Sequence, residues 1–214
     1  MTVKRVIFIR PGETDWNRDL RFQGQVAIPL NEHGQRQAQR LANFIRNIGL
    51  SALYTSDLKR AVQTAELLAE KLGFSPILDS RLRERAIGGW QGLTQKEIQN
   101  WYPADYQQFL ADPENYRVIG GESRKDVRER MQAAFTEILQ QDRGETICII
   151  SHSTAINALL SIIVPDITFG KVDVSNTSVT TIRLDDSGKW HIVTADDVTH
   201  LEGMPTQKVQ ELEE

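Results

Sequence analysis

Three short polar runs carry residue types that could do chemistry on an anionic group. Arg10-Pro11-Gly12-Glu13-Thr14-Asp15-Trp16-Asn17 follows one apolar stretch, Ser56-Asp57-Leu58-Lys59-Arg60 follows a second, and Ser151-His152-Ser153 follows a third. Together they supply two arginines, an asparagine, a histidine and the starts of two helices. Guanidinium groups and helix-start amides converge most simply on a dianionic oxyanion such as phosphate. A single arginine is ordinarily part of a solvated face. The shared placement of Arg10, Arg60 and His152 directly behind apolar stretches is what points to a site.

Those stretches read as strands. Val3 to Ile9 is β-branched and apolar and is stopped by Pro11-Gly12. Ala52 to Thr55 and Pro76 to Leu78 are short strands, and Ile147 to Ile150 is the continuous apolar run of a central parallel strand. Helices alternate with them. Asn31 caps a helix from Glu32 to about Asn47, with Ala38, Leu41, Ala42 and Ile45 at helical spacing. Ser56 or Asp57 caps a second, with Leu58, Ala61, Ala65 and Leu68 on one face and Gly73 at its end. Glu122 to Gln141 buries Val127, Met131, Ala134, Phe135 and Ile138, and a last helix runs from Thr154 to Ile163. Val179 to Leu184 and Trp190 to Ala195 are strands joined through the Asp185-Asp186-Ser187-Gly188 turn. The alternation predicts an α/β three-layer sandwich, its sheet mostly parallel with an antiparallel edge strand. Ligands of such sheets bind at the carboxyl ends of the strands, where the three polar runs fall.

One domain spans 1–202. A less regular stretch at about 81–121 is a covering insertion, packed onto the sheet by Trp90, Trp101, Tyr102 and Tyr106. Residues 203–214 form a polar, acidic tail expected to be disordered. The 214 residues include 25 Lys plus Arg against 29 Asp plus Glu, a net charge of -4, which argues against a nucleic-acid partner. The single cysteine, Cys148, excludes a disulfide framework, and no metal-ligand spacing or cofactor motif is present. The stretch from Ala155 to Val164 is too short to span a bilayer, and the N-terminus has no secretory signature. A cytoplasmic protein is expected. A free sheet edge leaves a homodimer open, although nothing in the sequence specifies one.

The run from Arg10 to Asn17 resembles the signature of the histidine phosphatase superfamily, the phosphoglycerate mutase-like phosphatases: Arg-His-Gly-Glu-Thr, a variable residue, Trp and Asn. The likeness continues in order through Gln23-Gly24, Pro29-Leu30, Gly34, Gln37-Ala38, Thr55-Ser56-Asp57-Leu58, Arg60-Ala61, Thr64, Leu82 and Glu84. It goes on through Gly89-Trp90, Gly92, Gly120-Gly121-Glu122-Ser123, Ser151-His152 and Asn176-Thr177-Ser178. The resemblance implies the phosphoglycerate mutase-like fold. It implies that Arg10, Arg60 and His152 hold a phosphoryl group, that Asn17 adds a contact, and that Gln23 and Gly24 lie near the substrate. Glu84 would protonate the leaving group and then activate water.

The position of the family's nucleophilic histidine holds Pro11. The proline nitrogen belongs to a tertiary amide whose lone pair is delocalised, so it can neither attack phosphorus nor donate a hydrogen bond. Removing a covalent nucleophile costs about 10⁶-fold in a well-studied protease. A second departure is Ser153-Thr154, where the family commonly has two glycines; the Ser153 hydroxyl can still donate to an anion. The expectation is a catalytically dead or severely impaired relative that binds phosphate or a small phosphorylated metabolite in a regulatory role. The alternative is an active phosphomonoesterase or mutase with a non-standard nucleophile, or with water activated directly by Glu84.

Overall fold

The computed structural model describes residues 3–141 and 143–204. Its strands and helices alternate in chain order: β1 (Arg5–Ile9), α1 (Asp15–Arg18), α2 (Glu32–Ile45), β2 (Ala52–Thr55), α3 (Lys59–Leu72), β3 (Ile77–Leu78), α4 (Gln95–Trp101), α5 (Pro103–Ala111), α6 (Arg124–Gln140), β4 (Thr146–Ile150), α7 (Ser153–Ile163), β5 (Val179–Leu184) and β6 (Trp190–Asp197). The strands form one sheet in the order β3-β2-β4-β1-β5-β6. β1 pairs in parallel with β4, and β4 with β2, whereas β5 pairs antiparallel with β1 and β6 antiparallel with β5. The antiparallel edge expected from the sequence is the β5–β6 hairpin, joined through the turn at Asp185 to Gly188.

Strand alternation divides the core into two layers. Val6, Phe8, Ile147, Ile149 and Ile182 face α6 and α7, packing on Met131, Phe135, Ile156 and Leu159. Ile7, Ile9, Cys148 and Ile150 face α2 and α3, packing on Leu41, Ile45, Ala61 and Leu68. The result is the three-layer arrangement expected, and it leaves the carboxyl ends of β1, β2 and β4 at one rim.

Local chemistry explains most element ends. Asn31 accepts from Gly34 N at 2.8 Å and starts α2. Gly73, at φ 76°, closes α3 by donating to Ala69 O. Ser123 and Asp126 form a capping box that starts α6 two residues later than the sequence reading, and α7 begins at Ser153 rather than Thr154. The cap expected of Ser56 or Asp57 is absent: Leu58 holds the N-cap of α3 without a side-chain bond. Asp57 instead pairs with Arg83 at 2.5 Å, and the Ser56 hydroxyl faces His152.

The stretch at 81–121 holds two 3-10 turns and the short helices α4 and α5. It has a small core of its own, built from Trp90, Ile98, Tyr106, Phe109 and Val118. Trp101 and Tyr102 do not join it; Trp101 is 62 % exposed, which corrects the expectation that it packs the insertion down. Gly203 and Met204 complete a turn after Leu201; the remainder of the expected tail, 205–214, lies outside the described residues.

Candidate functional site

The turn after β1 is built by close backbone approach. A Cβ on Gly12 would lie 2.5 Å from Gly34 O, so only glycine lets this turn rest on α2. Thr14 and Asn17 form a capping box at α1, and the Glu13 carboxylate accepts from Asn31 Nδ2 at 2.8 Å. Glu13 is thus a brace between two elements rather than a ligand group. The loop before β5 supports the turn from the other side: Thr177 N donates to Arg10 O at 3.0 Å, and Asn176 Nδ2 to Pro11 O at 3.0 Å.

Above this turn opens a cleft. Every residue that the resemblance nominated lines it: Arg10, Pro11, Asn17, Gln23, Gly24, Arg60, Glu84, His152 and Ser153. Arg10 Nη1 donates to Val174 O at 2.7 Å. Arg60 donates to Val26 O at 3.1 Å and Gly24 O at 2.9 Å. Both side chains are buried. Burial lowers the Arg60 pKa to about 10, with Arg10 adding like-charge repulsion and Glu84 opposing both. Arg60 stays charged at neutral pH, and two neighbouring guanidiniums favour an anion between them.

His152 ends β4 and occupies the N-cap of α7. Burial, then the charges of Arg60, Arg10 and Arg130, hold its imidazole well below the usual histidine range, so the ring is neutral. Its Nε2 lies 3.0 Å from Ser56 Oγ, and that hydroxyl already accepts from Leu58 N at 3.3 Å. With the hydroxyl hydrogen directed at Nε2, the ring proton sits on Nδ1, which has no hydrogen-bond partner among the described residues. A neutral histidine in this tautomer presents a donor to an anion.

Glu84 leaves the 3-10 turn after β3. Its carboxylate accepts from Arg85 N at 2.7 Å and Thr154 N at 3.2 Å, and its carbonyl is gripped by Gln25 and Arg130. The acid/base candidate is thereby tied to the start of α7 beside His152. The other histidines lie elsewhere: His191 pairs with Asp185, and His200 bonds Thr177 and packs on Phe44. Among the described residues, no group of three or more His, Cys, Asp or Glu side chains could hold a metal ion, and no helix is long and apolar enough to cross a membrane.

The cleft has a second wall that sequence reasoning did not nominate: Arg21, Phe22, Arg85, Ile87, Phe109, Arg124, Phe169 and Asn176. Most of these come from the insertion and from loops with no fixed spacing to the motifs. The available signals were that Arg85 directly follows Glu84 and that Asn176 belongs to the Asn176-Thr177-Ser178 run of the resemblance.

Comparison with known proteins agrees with this geometry. The family description "Histidine phosphatase superfamily (branch 1)" matches residues 6–198. Phosphoglycerate mutase-like protein 4 of Arabidopsis thaliana is 37% identical over 201 residues, covering 92% of this chain and 86% of the relative. A probable phosphoglycerate mutase, GpmB, of Klebsiella pneumoniae is 32% identical, covering 96% and 99%. Among solved structures, Bacillus stearothermophilus YhfR superposes with a TM-score of 0.82 at 32% identity, covering 92% of this chain and 98% of that one. A histidine-to-alanine variant of the Entamoeba histolytica phosphoserine phosphatase, solved with phosphoserine, superposes with a TM-score of 0.81 at 25% identity, covering 92% and 98%. With the fold, the ordered motifs and these relatives in agreement, the chain belongs to the histidine phosphatase superfamily, branch 1.

Proposed function

We propose that this protein holds inorganic phosphate or a small phosphorylated metabolite between Arg10, Arg60 and His152 without forming a phosphoenzyme, and that it acts by binding rather than by turnover. The observation that carries the reading is Pro11 in the wall of a cleft whose cationic groups are otherwise present. The tertiary amide of proline offers phosphorus no lone pair, while the two guanidiniums and the Nδ1–H of His152 need no nucleophile to bind an anion. The Entamoeba histolytica variant supports this, because that relative carries phosphoserine with a histidine removed. The curated relatives named as phosphoglycerate mutases support small phosphorylated metabolites as the ligand class.

Two measurements on the purified chain test the proposal. Calorimetric titration with inorganic phosphate should show binding that is lost in Arg10→Ala. A phosphatase assay with a generic aryl phosphate should show no turnover above the Glu84→Ala variant. Turnover that disappears in Glu84→Ala would overturn the reading in favour of direct water attack, and absence of phosphate binding would overturn it outright.

A further inference from the structure

One loop holds Arg10 at both ends. Val174 O accepts from its guanidinium at 2.7 Å, and Thr177 N donates to its carbonyl at 3.0 Å, while Asn176 Nδ2 between them donates to Pro11 O. The loop is held in turn by side chains from the end of β6 and the turn after it. Asp196 accepts from Ser175 N at 2.6 Å and from Ser175 Oγ at 2.9 Å. His200, in the 3-10 turn Thr199–Leu201, places Nε2 3.2 Å from Thr177 Oγ1.

Thr177 is the strained member of the loop. It is fully buried and sits at φ 57°, in the left-handed region, where a β-branched side chain crowds its own backbone. Among the described residues the other non-glycine positions at positive φ are Leu20, Asp166 and Asp196, none of them β-branched. Such a conformation persists only where its surroundings over-determine it. The Thr177 hydroxyl gives its hydrogen to Asn176 O at 2.8 Å, which leaves the oxygen's lone pairs for an incoming donor. That donor is the His200 ring, so its proton sits on Nε2. The other ring nitrogen, Nδ1, is buried without a hydrogen-bond partner, and no acceptor there competes for the proton. The turn that carries the ring is seated on α2. His200 packs on Phe44 with ring centroids 5.4 Å apart, Leu201 is buried, and Arg40 Nη1 donates to Glu202 O at 2.8 Å.

We propose that His200 is a positioning residue for the anion site: its Nε2–H keeps Thr177 in the left-handed conformation from which the loop fixes Arg10. This rests on the reading above that Arg10, Arg60 and His152 hold the phosphoryl group. Neither His200 nor Thr177 lines the cleft, so their effect on a ligand passes through the Arg10-Pro11 turn.

Calorimetric titration of the full chain with inorganic phosphate tests the assignment. His200→Phe keeps a ring against Phe44 and removes the donor; affinity should fall about three- to tenfold. His200→Gln, whose side-chain amide donates to the same oxygen, should return affinity to within about twofold of the wild type. A double-mutant cycle separates positioning from general stability. Thr177→Ala removes the accepting oxygen, and adding His200→Phe to it should weaken binding by less than about twofold more, because the two residues act through one bond. Equal losses from His200→Phe in both backgrounds would overturn the proposal. Nitrogen NMR of the labelled wild-type ring needs no variant: the proton is expected on Nε2, and a proton on Nδ1 would overturn the proposal even if His200→Phe fails to fold. Phosphate binding unchanged in a folded His200→Phe chain would refute this inference and leave the proposed function standing. No phosphate binding by the wild type would overturn both.

Discussion

Ser56→Ala tests whether a hidden hydroxyl decides what His152 can offer an anion. Ser56 is fully buried, its Oγ is 3.0 Å from His152 Nε2, and the ring is held neutral by burial and by the surrounding arginines. A neutral imidazole donates from one nitrogen only. A hydroxyl hydrogen directed at Nε2 leaves the ring proton on Nδ1. Without the hydroxyl, the ring can donate to phosphate only by leaving a buried Nε2 acceptor unpaired, at a cost of about 1–3 kcal/mol. Phosphate affinity should fall by about 5- to 150-fold. Calorimetric titration at pH 7.5 reads the loss, and nitrogen NMR of the labelled ring reads the tautomer directly. Wild-type spectra showing the proton on Nε2, or a variant that binds phosphate as the wild type does, would refute the reasoning.

Four further outcomes follow from the same geometry. Pro11→His should yield an acid-labile phosphoenzyme and measurable hydrolysis of an aryl phosphate; its absence would mean that the surrounding groups are not poised for transfer. Arg60→Met removes a charge-assisted donor and should weaken phosphate binding by about 1.5–3 kcal/mol, read by the same titration. Gly12→Ala drives a Cβ to 2.5 Å from Gly34 O and should lower unfolding free energy by about 2–3 kcal/mol, checked by urea denaturation. Acid should destabilise the fold: His200 is depressed from 6.5 to about 4, chiefly by burial, so the unfolded chain takes up the proton first and stability falls as pH drops through that window. The full shift, reduced for its partial exposure, gives about 1–2 kcal/mol; His152 acts in the same direction, and His200→Gln should flatten the His200 part of the slope in urea midpoints between pH 7.5 and 4.5.

The parts of the site legible in the sequence are those whose position is set by strand ends. Arg10 and His152 follow the apolar runs of β1 and β4, and both line the cleft because a parallel strand delivers its next residues to the carboxyl rim. The start of α3 was misread because local capping lost to tertiary partners: Ser56 turns to His152 and Asp57 to Arg83, and neither remains for the helix amides. Glu13 shows the converse, a motif residue outside the cleft lining whose carboxylate fastens Asn31 instead. Arg85, Phe109, Arg124 and Phe169 were illegible for another reason. They meet from separate elements, and their grouping depends on how the insertion folds over the sheet, for which no periodicity or spacing gives a signal.

Proline at position 11 fits this turn, where the residue's bonds run through its carbonyl. The β1 ladder ends at Ile9, whose carbonyl accepts from Ser151 N, and the next carbonyl, Arg10 O, accepts from Thr177 N. At Pro11 the bonds run inward through its carbonyl, to Asn176 Nδ2 and Thr177 N, and the nearest donor used by the turn is Gly12 N to Thr64 Oγ1 at 3.2 Å. The proline ring holds Arg10 in the extended geometry that a strand end requires. The guanidinium of Arg10 is fixed separately, by Val174 O, and that of Arg60 by Gly24 O and Val26 O. The anion-binding groups are anchored to carbonyls outside position 11, so the proposed loss of a nucleophile there leaves their anchoring in place. The proposed function therefore requires only that binding and bond breaking be separable in this fold, which the Pro11→His comparison tests.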